Sequence, residues 1–137
     1  MHAQDMQLTK IDTEIPMDVT KNPEVVRSFL PLRPVQFHIL ISLSEGDRHG
    51  YGIISDTRER SGGEVRLEMG TLYRALHRML GSGLVAESDQ RPAPELDDER
   101  RRYYRITDLG RRVAGGEVAR MEALVKAAHG TGLVQPV

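Results

Sequence analysis

The residues with the clearest chemical potential lie in the segment 69–80. Apolar side chains recur there at helical spacing, which predicts a helix with one face in a core: Leu72, Ala75, Leu76, Met79 and Leu80. The opposite face carries small, polar or cationic side chains and no acid: Gly70, Thr71, Arg74, His77 and Arg78. Such a face can enter the major groove of DNA, where arginine binds guanine and threonine binds phosphate. Taken alone, the segment also fits a solvated surface helix.

A second group of arginines follows this helix. Residues 84–89 and 101–106 predict two strands, and the proline-containing loop 91–99 joins them into a β-hairpin. Arg100, Arg101 and Arg102 lie at the base of the hairpin, directly after an acidic run. We expect at least one of them to bind a backbone phosphate, and surface salt bridges to the acids are the alternative. Tyr103 and Tyr104 point to opposite faces of the strand, so we expect one of them in the core.

Two further helices are predicted before the 69–80 segment. Pro34 begins the first, which is apolar nearly all round as far as Leu43 and ends at Gly46. The second runs over 51–60 and ends at a Gly-Gly pair. Residues 64–68 alternate and could form a very short strand. Three helices followed by a hairpin give a winged helix-turn-helix domain, a mainly α fold with a small β-hairpin wing (α+β).

The last part of the chain predicts a long amphipathic helix that begins at Thr107 and Asp108. Its apolar stripe has little of the small domain left to cover, so we expect it to pair with a second subunit through Leu109, Val113, Val118, Met121, Leu124 and Val125. Folding back on its own domain is the alternative, and the glycines at 115–116 could kink or split the helix. We divide the chain into an N-terminal arm (1–31), the winged helix-turn-helix domain (32–107) and the dimerisation helix with its tail (108–137). The arm could hold a short helix within 19–29 that packs on the dimer.

Four motifs, in their order and spacing, resemble the PadR family of transcriptional regulators. They are His49-Gly50-Tyr51-Gly52, Gly70-Thr71-Leu72-Tyr73-Arg74-Ala75-Leu76, Gly83-Leu84-Val85, and Arg101-Arg102-Tyr103-Tyr104-Arg105-Ile106-Thr107 with Gly110. The resemblance covers residues 34–112. It implies a dimeric winged-helix protein, more often a repressor, whose C-terminal helix builds the dimer. Some members release DNA when they bind phenolic acids or planar hydrophobic drugs.

The resemblance also implies roles for individual residues. The helix 70–78 becomes the recognition helix, with Thr71, Tyr73 and Arg74 as its leading DNA contacts. Tyr51 and His49 support it from the preceding helix, and the wing arginines meet phosphates or the minor groove. For Tyr73, DNA contact and pure packing both remain open.

Three features depart from the family pattern. Glu68 stands where many members have a small hydroxyl residue that caps the recognition helix. The C-terminal segment is short and resembles the branch with one C-terminal helix. The chain has no tryptophan, the residue that drug-binding members use in their pocket.

Composition limits the remaining function classes. The 137 residues carry a net charge of -1, no cysteine and five scattered histidines, so we expect no disulfide, metal site or cofactor and see no catalytic motif. No apolar run approaches the ~20 residues of a membrane span, and a cytoplasmic location is expected. The sequence predicts a homodimeric regulator, a repressor rather than an activator, that binds a palindromic operator and responds to a small aromatic or hydrophobic effector or to none. A winged-helix protein-interaction module and a small-molecule carrier without DNA binding are the alternatives.

Overall fold

The computed structural model describes residues 21–89 and 101–135. It contains five helices and three strands within these residues: α1 (Pro23–Ser28), α2 (Pro34–Ser44), β1 (Arg48–His49), α3 (Gly50–Arg60), α4 (Met69–Ser82), β2 (Val85–Ser88), β3 (Tyr103–Ile106) and α5 (Asp108–Gly130). The helix-rich architecture with one small antiparallel sheet confirms the predicted fold class. None of the described helices is long and apolar enough to cross a membrane.

The sheet has the order β1-β3-β2, with both pairings antiparallel. The strand predicted over 64–68 is wrong, and the third strand is the two-residue β1 instead. Gly62 and Gly63 adopt positive φ after α3, and the Ser61 hydroxyl then accepts the Val65 N–H at 2.9 Å. This turn hydrogen bond constrains the chain at the start of residues 64–68, which pair with no described strand, whereas β1 pairs directly with β3.

Both tyrosines of β3 are buried, and one of them, Tyr104, belongs to the hydrophobic core cluster as expected. Tyr103 is 7% exposed and Tyr104 is 4% exposed. The ring of His49 packs edge-on against Tyr103, with 5.2 Å between ring centroids, while Tyr104 belongs to the hydrophobic core. Tyr103 is therefore covered by the His49 side chain of the neighbouring strand, and Tyr104 by the core.

The recognition-helix candidate α4 buries the face that its periodicity predicted. Leu72, Leu76 and Met79 are at most 1% exposed and pack against α2 and α3. The helix ends at Gly83, which has a φ of 85°, and the Leu84 N–H returns to the Met79 carbonyl at 3.0 Å. At its start, Glu68 occupies the N-cap position without a side-chain hydrogen bond. The carboxylate thus does not supply the cap that a small hydroxyl residue would give.

Helix α5 is continuous from Asp108 to Gly130, so the glycines at 115–116 do not split it into two helices. The predicted cap is present, because the Thr107 hydroxyl accepts the Gly110 N–H at 2.9 Å. Two residues of the predicted dimer set lie in this chain's own domain: Val113 is fully buried and Leu109 packs against the core. The first turns of α5 therefore pack on this chain's own core.

An ion pair between a buried carboxylate and a partly exposed arginine lies on the same helix. Glu117 is 1% exposed, and its carboxylate accepts from Arg120 at 2.7 and 2.9 Å. These bonds lower the pKa of Glu117; burial opposes them, and a backbone hydrogen bond from Leu32 adds to the lowering. Because Leu32 lies between α1 and α2, the carboxylate ties that connection to α5. Helix α1 itself is capped by the Asn22 side chain.

Candidate nucleic-acid interface

The outer face of α4 keeps the cationic character that the sequence predicted. Tyr73, Arg74, His77 and Arg78 are exposed, and Thr71 is half-buried. Arg74 reaches back one turn, and its Nη2 lies 3.4 Å from the Thr71 hydroxyl oxygen. The face therefore offers a hydroxyl and three cationic or ionisable heads on consecutive turns, with no acidic residue anywhere in α4.

An open pocket of about 680 Å³ joins α4 to the wing. It is lined by the start of α3, by Tyr73 and by the base of β3: His49, Gly50, Tyr51, Tyr73, Arg101, Arg102 and Tyr104. The pocket thus brings together five residues from three segments that we expected to bind DNA: His49, Tyr51, Tyr73, Arg101 and Arg102. Arg100 and the loop 91–99 lie outside the described residues.

His49 organises one wall of this pocket. Its Nδ1 accepts the Gly52 N–H at 3.1 Å and so caps α3, and its Nε2 lies 3.1 Å from an Nη of Arg101. The Arg101 guanidinium also lies over the Tyr51 ring, 5.9 Å from its centroid. Tyr51 is 60% exposed, so this aromatic surface and the cation above it both face outward.

The opposite wall is formed by two tyrosines. The Tyr73 hydroxyl comes so close to α3 that a Cβ on Gly50 would lie 2.7 Å from it, which explains the glycine. Burial raises the pKa of Tyr104, with smaller contributions from Tyr73 and Glu87 and an opposing one from Arg102. Tyr104 therefore remains a neutral phenol, able to donate a hydrogen bond, at all physiological pH values.

The wing arginines differ in their surroundings. Arg102 is 72% exposed on its side chain and lies 4.0 Å from Glu87 of β2. The salt-bridge alternative thus applies to Arg102, as a long and exposed pair that contributes little. Arg101 contacts His49 and Tyr51, and its guanidinium lines the pocket.

Sequence reasoning missed one cation, Arg33. Arg33 directly precedes Pro34, and the proline predicts only that a helix begins there, not that the arginine before it lies near α4. In the structure Arg33 lines a groove of about 270 Å³ between the start of α2 and α4, together with Thr71, Arg74 and Arg78. In the sequence, Arg33 is only an arginine that precedes a helix. That it lies close to α4 depends on how α2 and α4 pack.

A second, apolar surface lies on the far half of α5. Val118, Met121, Leu124 and Val125 are 40–57% exposed there. Val118, Met121 and Val125 border, with Phe37 of α2, an open apolar groove of about 690 Å³. Its rim carries Glu122, Lys126 and His129. Among residues 21–89 and 101–135, no group of three or more acidic or histidine side chains could hold a metal ion.

A family model described as the transcriptional regulator PadR-like family matches residues 39–115. The match runs from α2 through the wing to α5 and covers more than half of the chain. This chain belongs to the PadR-like family. The family consists of transcriptional regulators rather than enzymes, and the protein is a DNA-binding transcriptional regulator of the winged-helix type.

Individual proteins similar to this chain agree with this assignment. The chain is 35% identical over 92 residues to the transcriptional regulator Rv3488 of Mycobacterium tuberculosis, which covers 67% of this chain and 79% of that protein. A PadR family regulator from Clostridium difficile is 28% identical, with a TM-score of 0.59 over 71% of this chain and 96% of that one. Bacillus subtilis PadR, solved in complex with operator DNA, has the same fold at 21% identity, with a TM-score of 0.53 over 64% of this chain and 48% of that one.

Proposed function

We propose that the protein is a homodimeric repressor that places α4 of each subunit in the major groove of a palindromic operator. The observation that carries the proposal is the continuity of the α4 face with the wing pocket. Tyr73 belongs to both, so one surface presents the polar side of a helix and, beside it, the arginines of the wing. A major-groove helix flanked by cations that bind the backbone is the arrangement of winged-helix DNA-binding domains.

The residues of this surface have different roles in the proposal. Arg74 and Thr71 project from the first turns of α4, so we assign them to base edges and the adjacent phosphate. His77 and Arg78 extend the contact by one turn. Arg101 and Arg102, together with Arg100 outside the described residues, bind the backbone, and Arg33 adds a backbone contact on the other side of α4.

The proposed dimer forms through the far half of α5. Four apolar side chains on consecutive turns are exposed there, and the described part of the chain has no further element to cover them. Exposure of such an apolar stripe to water is unfavourable, and packing against a second copy of α5 would bury the stripe. A dimer also supplies the two recognition helices that a palindromic operator requires.

An effector, if one acts, is in our proposal a small aromatic or hydrophobic molecule bound in the groove beside Phe37. A second α5 packed nearby would convert this open groove into a closed apolar cavity, which is the usual character of a small-molecule site. His129 and Lys126 on the rim offer polar partners for a phenol or carboxylate. We place the protein in the cytoplasm, where operator DNA is accessible.

Selection from random duplex DNA tests the central proposal. The full chain should enrich a palindrome whose half-sites lie about one or two helical turns apart, and sedimentation should give one dimer for each duplex. Transcription from a promoter that contains the selected site should fall as protein is added, and a rise would indicate an activator. A stable dimer that enriches no sequence would instead favour a protein-interaction module.

The effector is tested separately by measuring the melting temperature with phenolic and planar hydrophobic compounds. A true effector should raise the melting temperature as its concentration rises and should release the selected duplex at the same concentrations. A Phe37→Ala variant should lose both responses. A compound set that changes neither quantity would support a regulator without an effector.

A further inference from the structure

Helix α4 begins without the side-chain cap that three of the other described helices have. Asn22, His49 and Thr107 each accept a backbone N–H from the first turn of the helix that follows. Glu68 occupies the same N-cap position before α4, and its carboxylate accepts none. Serine, threonine, aspartate and asparagine are the residues that stabilise a helix from this position, and glutamate is not among them. This departure from a local rule points to a function at position 68 rather than to the fold.

The backbone fixes the direction of the Glu68 side chain. Glu68 is extended, with φ -85° and ψ 149°, and neighbouring side chains of an extended chain point to opposite sides. Leu67 and Met69, on either side of it, both pack against the hydrophobic core, so Glu68 points away from the core and is exposed. Its carbonyl accepts the Leu72 N–H at 2.9 Å, which fixes the residue relative to α4.

Glu68 lies at the N-terminal end of the polar surface of α4. Thr71 is its neighbour at a spacing of three residues, and Arg74 reaches back to the Thr71 hydroxyl. The N-terminal part of a recognition helix is the part that approaches base edges. Within residues 21–89 and 101–135, the Glu68 carboxylate makes neither a hydrogen bond nor an ion pair. An acid with unused acceptor oxygens therefore lies beside an otherwise cationic surface.

The chemistry of a carboxylate limits what Glu68 can bind on DNA. A carboxylate only accepts hydrogen bonds, and its charge repels phosphate. In the major groove two base groups donate, N4 of cytosine and N6 of adenine. Adenine has the acceptor N7 beside N6, which repels a carboxylate, whereas cytosine has no acceptor of its own beside its amino group in the groove. Against any other base edge the carboxylate would lose water without gaining a donor, which is unfavourable.

We propose that Glu68 is a specificity-determining residue: its carboxylate accepts a hydrogen bond from N4 of one cytosine in each half-site. The inference rests on the proposed DNA binding and adds a base contact to the one assigned to Arg74. The same negative charge lowers the affinity for sequences that lack cytosine at that position. Glu68 thus also limits binding to nonspecific DNA.

Selection from random duplex DNA with the full chain and its Glu68 variants tests this role. The parent should prefer cytosine by about 5- to 30-fold at one base pair of each half-site. Glu68→Ala should accept all four bases there within about 2-fold, and Glu68→Gln should change the preference to adenine, since a carboxamide binds N6 and N7 together. Glu64→Gln is the matched control, because Glu64 is also an exposed acid shortly before α4, and it should keep the cytosine preference.

Two outcomes of the selection would overturn the proposal. One is an identical preference in the parent, Glu68→Ala and Glu68→Gln, with all three tightened or weakened on every sequence alike. The other is a change confined to the base pair that Arg74→Ala relaxes, which would make Glu68 a partner of Arg74 and not a reader of cytosine.

The variant Glu68→Ser separates a role on DNA from a role in the fold. The serine hydroxyl can cap α4, so this variant should melt at a higher temperature than the parent and should lose the cytosine preference. A residue with a purely structural role would not change stability and specificity in opposite directions. A serine variant that keeps the preference would refute the proposal.

A modified base tests which atom Glu68 contacts. The base 2-pyrimidinone replaces cytosine but lacks the 4-amino group, so the parent should bind the substituted operator about 5- to 30-fold more weakly. Glu68→Ala should lose much less, because its contact is already missing. If the parent and Glu68→Ala lose affinity by the same factor, Glu68 does not contact N4 although operator binding stands. A parent protein that enriches no sequence would refute the proposed function and, with it, this inference.

Discussion

Replacing Gly110 by alanine tests how the long helix docks on the DNA-binding domain. A Cβ at this position would lie 2.2 Å from the Leu84 carbonyl oxygen and 2.9 Å from Cγ1 of Ile106. The carbonyl cannot retreat freely, because it accepts from the Thr107 N–H at 3.2 Å and from the Thr107 hydroxyl at 3.0 Å. Restoring a normal contact requires α5 to move by about 1 Å, which a closely packed interior resists.

The expected loss follows from these contacts. Overpacking a core typically costs about 1–3 kcal/mol, and a shift of α5 also loosens Val113, which is now fully buried. Alanine recovers about 1 kcal/mol over glycine inside a helix. We expect Gly110→Ala to lower the free energy of unfolding by about 2 kcal/mol. The measurement is urea denaturation followed by circular dichroism, at one fixed protein concentration because a dimer's stability depends on it.

The same helix provides two controls. A Cβ on Gly115 meets nothing within 4 Å, so Gly115→Ala should stabilise the protein by about 0.5–1 kcal/mol. A Cβ on Gly116 would lie 3.1 Å from side-chain ends of Leu30 and Val26, which can yield, so its effect should be near zero. If Gly110→Ala stabilises the protein as much as Gly115→Ala, the close approach of α5 to the chain after α4 is wrong.

The other predictions concern DNA binding, assembly and pH. Arg74→Ala should cost about 1–3 kcal/mol of operator binding and relax the preference at one base pair of each half-site. Replacing Arg101 and Arg102 together by alanine should weaken binding to operator and to scrambled duplex alike. The slope of log affinity against log salt concentration should become shallower by roughly one unit for each phosphate that the variant no longer binds. If salt titrations show that Arg74→Ala weakens both duplexes equally and the wing variant only the operator, the roles of α4 and the wing are exchanged. Leu124→Lys should give a folded monomer in sedimentation, and an unchanged dimer would place the interface elsewhere. The pKa of Glu117 is lowered in the fold, so its charge should stabilise the protein at pH values above 4.5, the ordinary pKa, and this stabilisation should be lost as the pH falls through the pKa of the folded state. The loss in free energy of unfolding caused by Glu117→Gln should therefore shrink over that pH range. A loss that does not change with pH would contradict the assignment.

Local signals in the sequence predicted most of the helices. The apolar spacing of α4, the proline that begins α2 and the threonine cap of α5 act within a few residues, and the structure has each of them. The strand β1 could not be predicted this way. It consists of Arg48 and His49 only and exists because β3, more than fifty residues later, presents an edge to pair with. A pairing of that range leaves no periodic pattern in either segment.

The same distinction applies to the candidate interface. The outward side chains of α4 follow from helical spacing, because one buried face fixes the other. The nearness of Arg33 to Arg78 depends on how two helices cross, and the burial of Val113 depends on the line that α5 takes over the core. Neither can be derived from a stripe of apolar residues, which shows that a face is buried but not what buries it.

The course of α5 suggests how an effector could act without touching a DNA contact. The helix begins against Leu84, directly after α4 ends, and continues unbroken to the apolar face. In the proposed dimer, the angle at which two α5 helices pair therefore sets the separation of the two recognition helices. Gly110 and Leu124 are about 20 Å apart along the axis, so a 10° change in that angle changes the separation of the two α4 helices by about 3–4 Å. A ligand between Phe37 and α5 lies where it can force such a change. Because half-site spacing is fixed by the DNA helix, this displacement is enough to prevent both subunits from binding one operator at once.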